Sequence, residues 1–195
     1  MQVLRAESYR SMPWKNGGGV TTEIIVSPAG AALDDFDWRI SMAKVESGGP
    51  FSSFAGIDRT LSVLEGEGII LSIAEMAPAR LDKASPPLPF PADVSTDATL
   101  IGGPIVDLNV MTRRGRCSHS VERIELFGVT DIDPRAETIL LFSLHGGVEV
   151  DASSHIQLGP RDTAILTPAD APVRLKSPNA STLFVIRIHE NSGDH

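Results

Sequence analysis

Hydrophobic positions along this chain recur with a period of two, in short stretches, and almost nowhere at the three-to-four spacing of a helix. β-Branched or alternating runs bounded by Gly, Pro, Asp and Asn predict strands over 20–27 (VTTEIIVS), 37–45 (DWRISMAKV), 60–65, 67–73, 105–113 (IVDLNVMTR), 119–127, 137–144, 154–158, 162–167, 172–176 and 181–189 (STLFVIRIH). Segment 82–99, with Pro86, Pro87, Pro89 and Pro91, reads as a loop-rich connection, and the tail 190–195 as a frayed end. Regular strands separated by turn signals predict an all-β sandwich or barrel with few short helices, not a wound α/β sheet.

The pattern echoes itself. Leu64-Glu65-Gly66-Glu67 is matched 80 residues later by Leu144-His145-Gly146-Gly147, each between two apolar strands. Pro91-Ala92-Asp93 is matched 77 residues later by Pro168-Ala169-Asp170, each leading toward a long strand. Two matches in the same order at nearly one offset point to a duplicated β unit. The domain expectation is therefore one barrel over 1–115 and a second over 116–195, with terminal strands free to exchange between them.

Composition narrows the class. The 195 residues carry 17 Lys+Arg against 25 Asp+Glu, a net charge of −8, and 42% are hydrophobic, which excludes disorder. No apolar run approaches the roughly 20 residues of a spanning helix, and MQVLRAESYR lacks a signal-peptide pattern, so neither a membrane nor export is expected. A single cysteine, Cys117, cannot form an internal disulfide, which fits a reducing cytoplasm. The acidic balance argues against a nucleic-acid partner. It leaves room for a small anion, because a few converging arginines make a local potential positive.

A strand, a Gly turn, a second strand, a Pro-x-Asp turn and a final strand resemble the cupin barrel, and two such copies a bicupin. Cupins hold a metal with a His-x-His pair and a Glu before the first turn and a His after the Pro turn. Here residues 51–59 (FSSFAGIDR) and the stretches after Asp93 and Asp170 contain no histidine. Cys117 and His119 share a strand face without a third ligand in view, and His145, His155, His189 and His195 are scattered, so no metal is expected. Neither a Gly-x-Ser-x-Gly elbow nor a dinucleotide-type glycine spacing is present, and no cofactor is expected.

Four clusters carry candidate chemistry. In Trp14-Lys15-Asn16-Gly17-Gly18-Gly19 a flat apolar ring adjoins donors and a glycine run, which signals close backbone approach or a flexible turn. Glu23, on the strand that follows, is able to orient a donor or pair with an arginine. In the second cluster alternation puts Arg39 and Ser41 on one face, opposite Trp38, Ile40 and Met42. An inward Arg39 is a carboxylate anchor, an outward one a solvated charge. The third cluster, Phe51 and Ser52 with Asp58 and Arg59, offers an arginine fork for a carboxylate or a local Asp58–Arg59 surface pair. In the fourth, Asp107 and Asn109 share a face, and burying them demands partners.

Taken in order, Trp14-Lys15-Asn16-Gly17-Gly18-Gly19-x-Thr21-x-Glu23, Trp38-Arg39-Ile40-Ser41-x-Ala43-x-Val45, Gly49-Pro50-Phe51-Ser52, Gly56-x-Asp58-Arg59 and Asp107-Leu108-Asn109-Val110-Met111 resemble the HutD/Ves family. These motifs cover the first 115 residues or so; the second half matches in rhythm more than in residues. The resemblance implies a bicupin-like fold without the metal histidines. It also implies a link to bacterial histidine utilisation, as an accessory or regulatory binder of a small intermediate such as urocanate or formimino-glutamate. The Ves branch is linked to cold or stress responses, and the motifs do not separate the branches.

The expected ligand is a small carboxylate, held by Arg39 or Arg59, with Asn16, Ser52 and Asn109 on its polar edge and Trp14 or Phe51 stacked on it. Two other readings stay open. One is a metal-independent cupin isomerase or hydrolase using Glu23 with Lys15 or Asp107 with Arg59. The other is a scaffold or protein-binding module, and the many strand edges make a homodimer a further expectation.

Overall fold

The computed structural model describes residues 1–133 and 135–191. Residues 192–195, within the tail expected to fray, lie outside the described residues. The fold is all-β, with helix among the described residues confined to single 3₁₀ turns at Ala6–Ser8 and Pro168–Asp170. The chain divides into two compact units: a first, Arg10–Ser118, and a second made of Met1–Tyr9 with His119–Asn191.

The opening strand β1 (Gln2–Leu4) belongs to the second unit. The first unit then runs through β2 (Arg10–Pro13), β3 (Gly19–Ser27), β4 (Trp38–Val45), β5 (Gly49–Pro50), β6 (Ile57–Glu65), β7 (Ile69–Ile73), β8 (Ala79–Leu81), β9 (Leu88–Pro91), β10 (Thr96–Leu100) and β11 (Ile105–Arg113). These form two antiparallel sheets, in the orders β2-β3-β4-β11-β6-β9 and β5-β10-β7-β8. The second unit continues through β12 (Cys117–Ile132), β13 (Thr138–Ser143), β14 (Val148–Asp151), β15 (His155–Leu158), β16 (Thr163–Leu166) and β17 (Val173–Glu190). They make one seven-stranded sheet, β1-β16-β13-β17-β14-β15, with β12 paired to β17.

The two units repeat one pairing scheme. In the first, β6 pairs with β9 and β11, β7 with β8 and β10, and β11 with β4. In the second, β13 pairs with β16 and β17, β14 with β15 and β17, and β17 with β12. The long β17 thus takes the parts of both β10 and β11. The glycines of the repeated turns explain why the two tetrapeptides match. Gly66 (φ 92°) and Gly146 (φ 78°) both adopt left-handed backbone, and a Cβ there would lie 2.6 Å from the Pro104 carbonyl oxygen and 2.7 Å from the Pro160 nitrogen, respectively.

Several expected boundaries move. Segment 82–99 contains β9 and most of β10, so it is not only a connection. Its prolines fit because β9 is an edge strand, paired to β6 alone, and an edge tolerates missing N–H donors. The two strands expected over 172–176 and 181–189 are one. Strand β6 starts at Ile57, three residues before the expected position, and this decides which way Arg59 points.

Each unit has its own apolar core. In the first, Ala43, Val45, Leu61, Val63 and Ile105 from the large sheet pack with Ile69, Leu71, Ile73, Leu81 and Ala98 from the small one. In the second, Ile139, Leu141, Val150, Leu166, Leu175, Leu183 and Val185 are among the buried residues. Burying each Leu or Ile contributes roughly 1.5–3 kcal/mol.

The triple glycine between β2 and β3 separates into unlike positions. Gly19 opens β3 opposite Val45, and a Cβ there would sit 2.3 Å from the Lys44 carbonyl oxygen and 3.1 Å from the Trp14 ring. At Gly18 the nearest atom is the movable Ser47 hydroxyl, at 3.1 Å. Gly19→Ala is therefore expected to destabilise the protein by about 2 kcal/mol, as overpacking does, and Gly18→Ala by less than about 1 kcal/mol. Urea unfolding midpoints of the two variants measure the difference, and equal midpoints would contradict the close approach.

Candidate functional site

Register brings six of the candidate residues onto one face of the large sheet in the first unit. Arg39 on β4 faces Met111 on β11, which faces Arg59 on β6 and then Phe90 on β9. One step along each strand, Glu23, Ser41, Asn109, Leu61 and Leu88 form the next row, and Ala43, Asp107 and Val63 the one after. These rows share the face of Ala43, Val45, Leu61 and Val63, so the polar groups are set into the core side of the sheet. An irregularity in the β3–β4 pairing after Glu23 allows Glu23 to lie on this face while Ile24 is also buried.

The side chains are satisfied in a chain of bonds. Arg39, 5% exposed, donates from Nε to Glu23 Oε2 at 2.7 Å. Arg59 donates from Nε to Asn109 Oδ1 at 2.7 Å, and Asn109 donates from Nδ2 to Asp107 Oδ1 at 2.5 Å. The Arg59 guanidinium lies 4.8 Å from the centre of the Phe51 ring and 5.9 Å from that of Phe90, within cation–π range. The Nε atoms are thus committed. Among the described residues the terminal nitrogens of both arginines make no further side-chain bond, and no buried side-chain nitrogen or oxygen there lacks a partner, so these atoms reach solvent.

Burial sets the electrostatics. Desolvation raises the Asp107 carboxyl to about 6, although Arg59 and the bonds from Asn109 and the Ala43 backbone oppose the rise. Desolvation also lowers Arg59 to about 10, with Asp107 opposing and the neighbouring Arg39 reinforcing the change. Arg59 stays charged at neutral pH. The centre therefore combines two guanidiniums with the Glu23 carboxylate and a carboxyl that titrates near neutrality.

The other candidates lie around this group or away from it. Trp14 and Phe51 are half-buried against the first unit's core, and the Trp14 indole N–H donates to Thr21 Oγ1 at 2.7 Å. Lys15 and Asn16 are exposed in the turn, where Asn16 Oδ1 accepts the Gly18 N–H at 3.0 Å. Ser52 is exposed. Asp58 turns to the opposite face of β6 and accepts from Arg114 Nε at 2.8 Å, so the Asp58–Arg59 pair does not form. Glu23 is bonded to Arg39 instead of Lys15, and Asp107 reaches Arg59 through Asn109.

Three contributors are not among the candidate residues, although Thr21 and Met111 stand inside the motifs. Thr21 holds Trp14 and was legible as a hydroxyl two residues before Glu23. Met111 lies between the two arginines in register. Phe90, beside Arg59, was hidden in the proline-rich segment.

The second unit isolates what is special here. With the two Leu-x-Gly turns superposed in sequence, Arg59 and Leu61 correspond to Ile139 and Leu141. Through the pairings of β13 with β17, Asn109 and Asp107 correspond to Val185 and Leu183. All of these counterparts are fully buried and apolar.

The HutD family model matches residues 6–185. The chain belongs to the HutD family. It is 39% identical over 155 residues to the uncharacterized 21.2 kDa protein in the hutC 3' region of Pseudomonas putida, covering 77% of each chain. It is 37% identical over 156 residues to Protein Ves of Citrobacter koseri, covering 78% of this chain and 74% of that one. The structure of HutD from Pseudomonas fluorescens, obtained in a formate condition, superposes with a TM-score of 0.83 at 31% identity, over 98% of this chain and 99% of that one. A cupin 2 conserved barrel domain protein from Leptotrichia buccalis shares the fold at 10% identity, with a TM-score of 0.59 over 96% of this chain and 100% of that one. The HutD-family chain thus has a cupin-type fold. No helix among its described residues is long and apolar enough to cross a membrane.

A cupin-type metal does not fit the residues of this HutD-family centre. Two guanidiniums already stand at the site, Glu23 is bonded to one of them, and Asp107 is held by Asn109. Among the described residues, no group of three or more His, Cys, Asp or Glu is placed to hold a metal ion.

Asp107 generates a pH prediction. Its folded value, about 6, exceeds the ordinary 3.8, so between these pH values the folded state holds a proton that the unfolded state lacks. The unfavourable contribution is complete above pH 6, shrinks as pH falls through this window, and is absent below it. Across the window Asp107→Asn should gain up to roughly 3 kcal/mol relative to the native protein as pH rises. Urea midpoints of both proteins measured from pH 4 to 7 check this, and parallel curves would refute it.

Proposed function

We propose that this HutD-family chain is a non-enzymatic accessory or regulatory protein of bacterial histidine utilisation, located in the cytoplasm, that binds a small carboxylate intermediate such as urocanate or formimino-glutamate. The observation that carries the reading is the contrast between the units. The fold fills the positions of Arg59, Asn109 and Asp107 with Ile139, Val185 and Leu183 when only a core is required. The polar set is thus not a demand of the fold, and its cost points to a ligand.

The chemistry favours a carboxylate. Two guanidiniums offer terminal N–H groups in fork geometry, and Phe51 lies beside one of them as a flat apolar surface. Glu23, bonded to Arg39 through one oxygen and partly exposed, supplies an acceptor for an N–H donor elsewhere on the ligand, such as that of an imidazole or a formimino group. Two of the relatives, the hutC-region protein and HutD, connect the family with a histidine-utilisation locus. The shared pairing scheme supports the finer reading of the architecture as two tandem cupin-like barrels, a metal-free bicupin. Binding without turnover follows from the absence of a poised nucleophile among the candidate residues and from carboxylates already committed to neighbours in the chain.

Calorimetric titration of the full chain with urocanate and with formimino-glutamate tests the proposal. One of them is expected to give saturable heat at one equivalent per chain, with at least a tenfold loss of affinity in Arg59→Gln. Phe51→Ala, at a half-buried position, guards against misfolding of the arginine variant and should also weaken binding. No heat from either compound in folded protein, or turnover of either one, would overturn the reading.

A further inference from the structure

In the first unit the outer edge of β4 is covered by β3, and β3 by β2. The counterpart of β4 in the second unit is β12, which pairs with β17 and has no other strand partner among the described residues. Its second half, from Glu125 to Asp131, is exposed at every residue except Leu126. Within it Phe127 is 75% exposed and Val129 60%, the two most exposed large hydrophobic residues of the described chain. They lie two residues apart, on either side of Gly128, whose left-handed backbone (φ 79°) interrupts the regular alternation of the strand. A long edge strand with an apolar face is a template for adding another strand.

We propose that this edge is the interface between two copies of the chain, joined by antiparallel pairing of β12 with β12 about a two-fold axis near Phe127. Three observations select a second copy over an unrelated partner. The first is self-complementarity. Antiparallel pairing about Phe127 joins the Phe127 rings of the two copies at the centre and brings Val129 of each copy against the partner strand.

The second is local charge. The chain carries −8, which opposes self-association over most surfaces. Along β12, however, the charges are balanced within the chain: Glu122 accepts from Arg187 at 3.2 Å, Glu125 from Arg123 at 2.5 Å and Asp131 from Arg174 at 2.7 Å. The edge is thus a nearly neutral strip on an acidic molecule. The third is the fold itself, which closes the equivalent edge of the first unit with an antiparallel strand. The occupant that the second unit's edge fits is likewise an antiparallel strand, and β12 of a second copy supplies one of matching length.

Sedimentation equilibrium of the full chain reads the association directly. The expected mass is twice the 20.8 kDa of one chain, returning to a single chain in Phe127→Lys/Val129→Lys with an unchanged circular dichroism spectrum. The control Leu33→Lys/Met76→Lys, at exposed apolar positions of the first unit, should stay dimeric. If the lysine variant fails to fold, Phe127→Cys replaces it. Mild oxidation should then link two chains through residue 127, and Leu33→Cys should give no such link. A monomeric native chain, a dimer that survives the β12 substitutions, or no cross-link from Phe127→Cys would each overturn the proposal.

Discussion

A guanidinium set half-buried into the core side of a sheet destabilises the fold unless the N–H groups turned away from water find partners, and Arg59 imposes that condition on everything around it. Asn109 must present its oxygen to Arg59 Nε, which turns its amide nitrogen toward Asp107 and fixes that carboxyl in turn. Phe51 and Phe90 must stand beside the cation, so the short β5 and the edge strand β9 become supports of the site and not mere connections. Arg39 repeats the logic on the next strand but one, and the irregular β3–β4 pairing brings Glu23 to it. With the side positions thus committed, both arginines keep only their terminal nitrogens for a guest. For the proposed carboxylate this arrangement is favourable, because donors oriented before it arrives leave little ordering to oppose binding.

How much of this could be read from the residues depends on strand parity. The alternation in 37–45 and 105–113 put Arg39 with Ser41 and Asp107 with Asn109 on shared faces, and the registers preserve both pairs. Direction was not legible, because β4 is buried on both sides from Trp38 to Ala43 and no solvent-facing row of polar residues marks the outside. Asp58 and Arg59 illustrate the other limit. Consecutive strand residues point to opposite faces, so they could not have paired locally; the apolar run that signalled the strand began only at residue 60 and parity had nothing to act on. Nearness in sequence groups Lys15, Asn16 and Ser52 with the site, whereas the turn before Gly19 and the segment after Pro50 expose them. Prolines concealed β9 because propensity penalises a strand interior, and nothing local distinguishes an edge.

The duplication gives the polar cluster its meaning. A half-buried arginine with a buried amide and acid in an isolated domain could be read as an accident tolerated by a large core. This chain contains its own control: the same pairing scheme, executed twice, with Ile139, Val185 and Leu183 at the equivalent places in one copy. The local rule that buried sheet faces be apolar is thus kept where packing alone matters and broken where Arg59, Asn109 and Asp107 stand. A raised carboxyl and a lowered guanidinium measure the break, since both shifts are led by desolvation. Conflicts between local physics and the global fold concentrate where a molecule does something besides fold. In this HutD-family chain the conflict is confined to one face of one sheet, with the apolar unit as the measure of what that face gives up in stability.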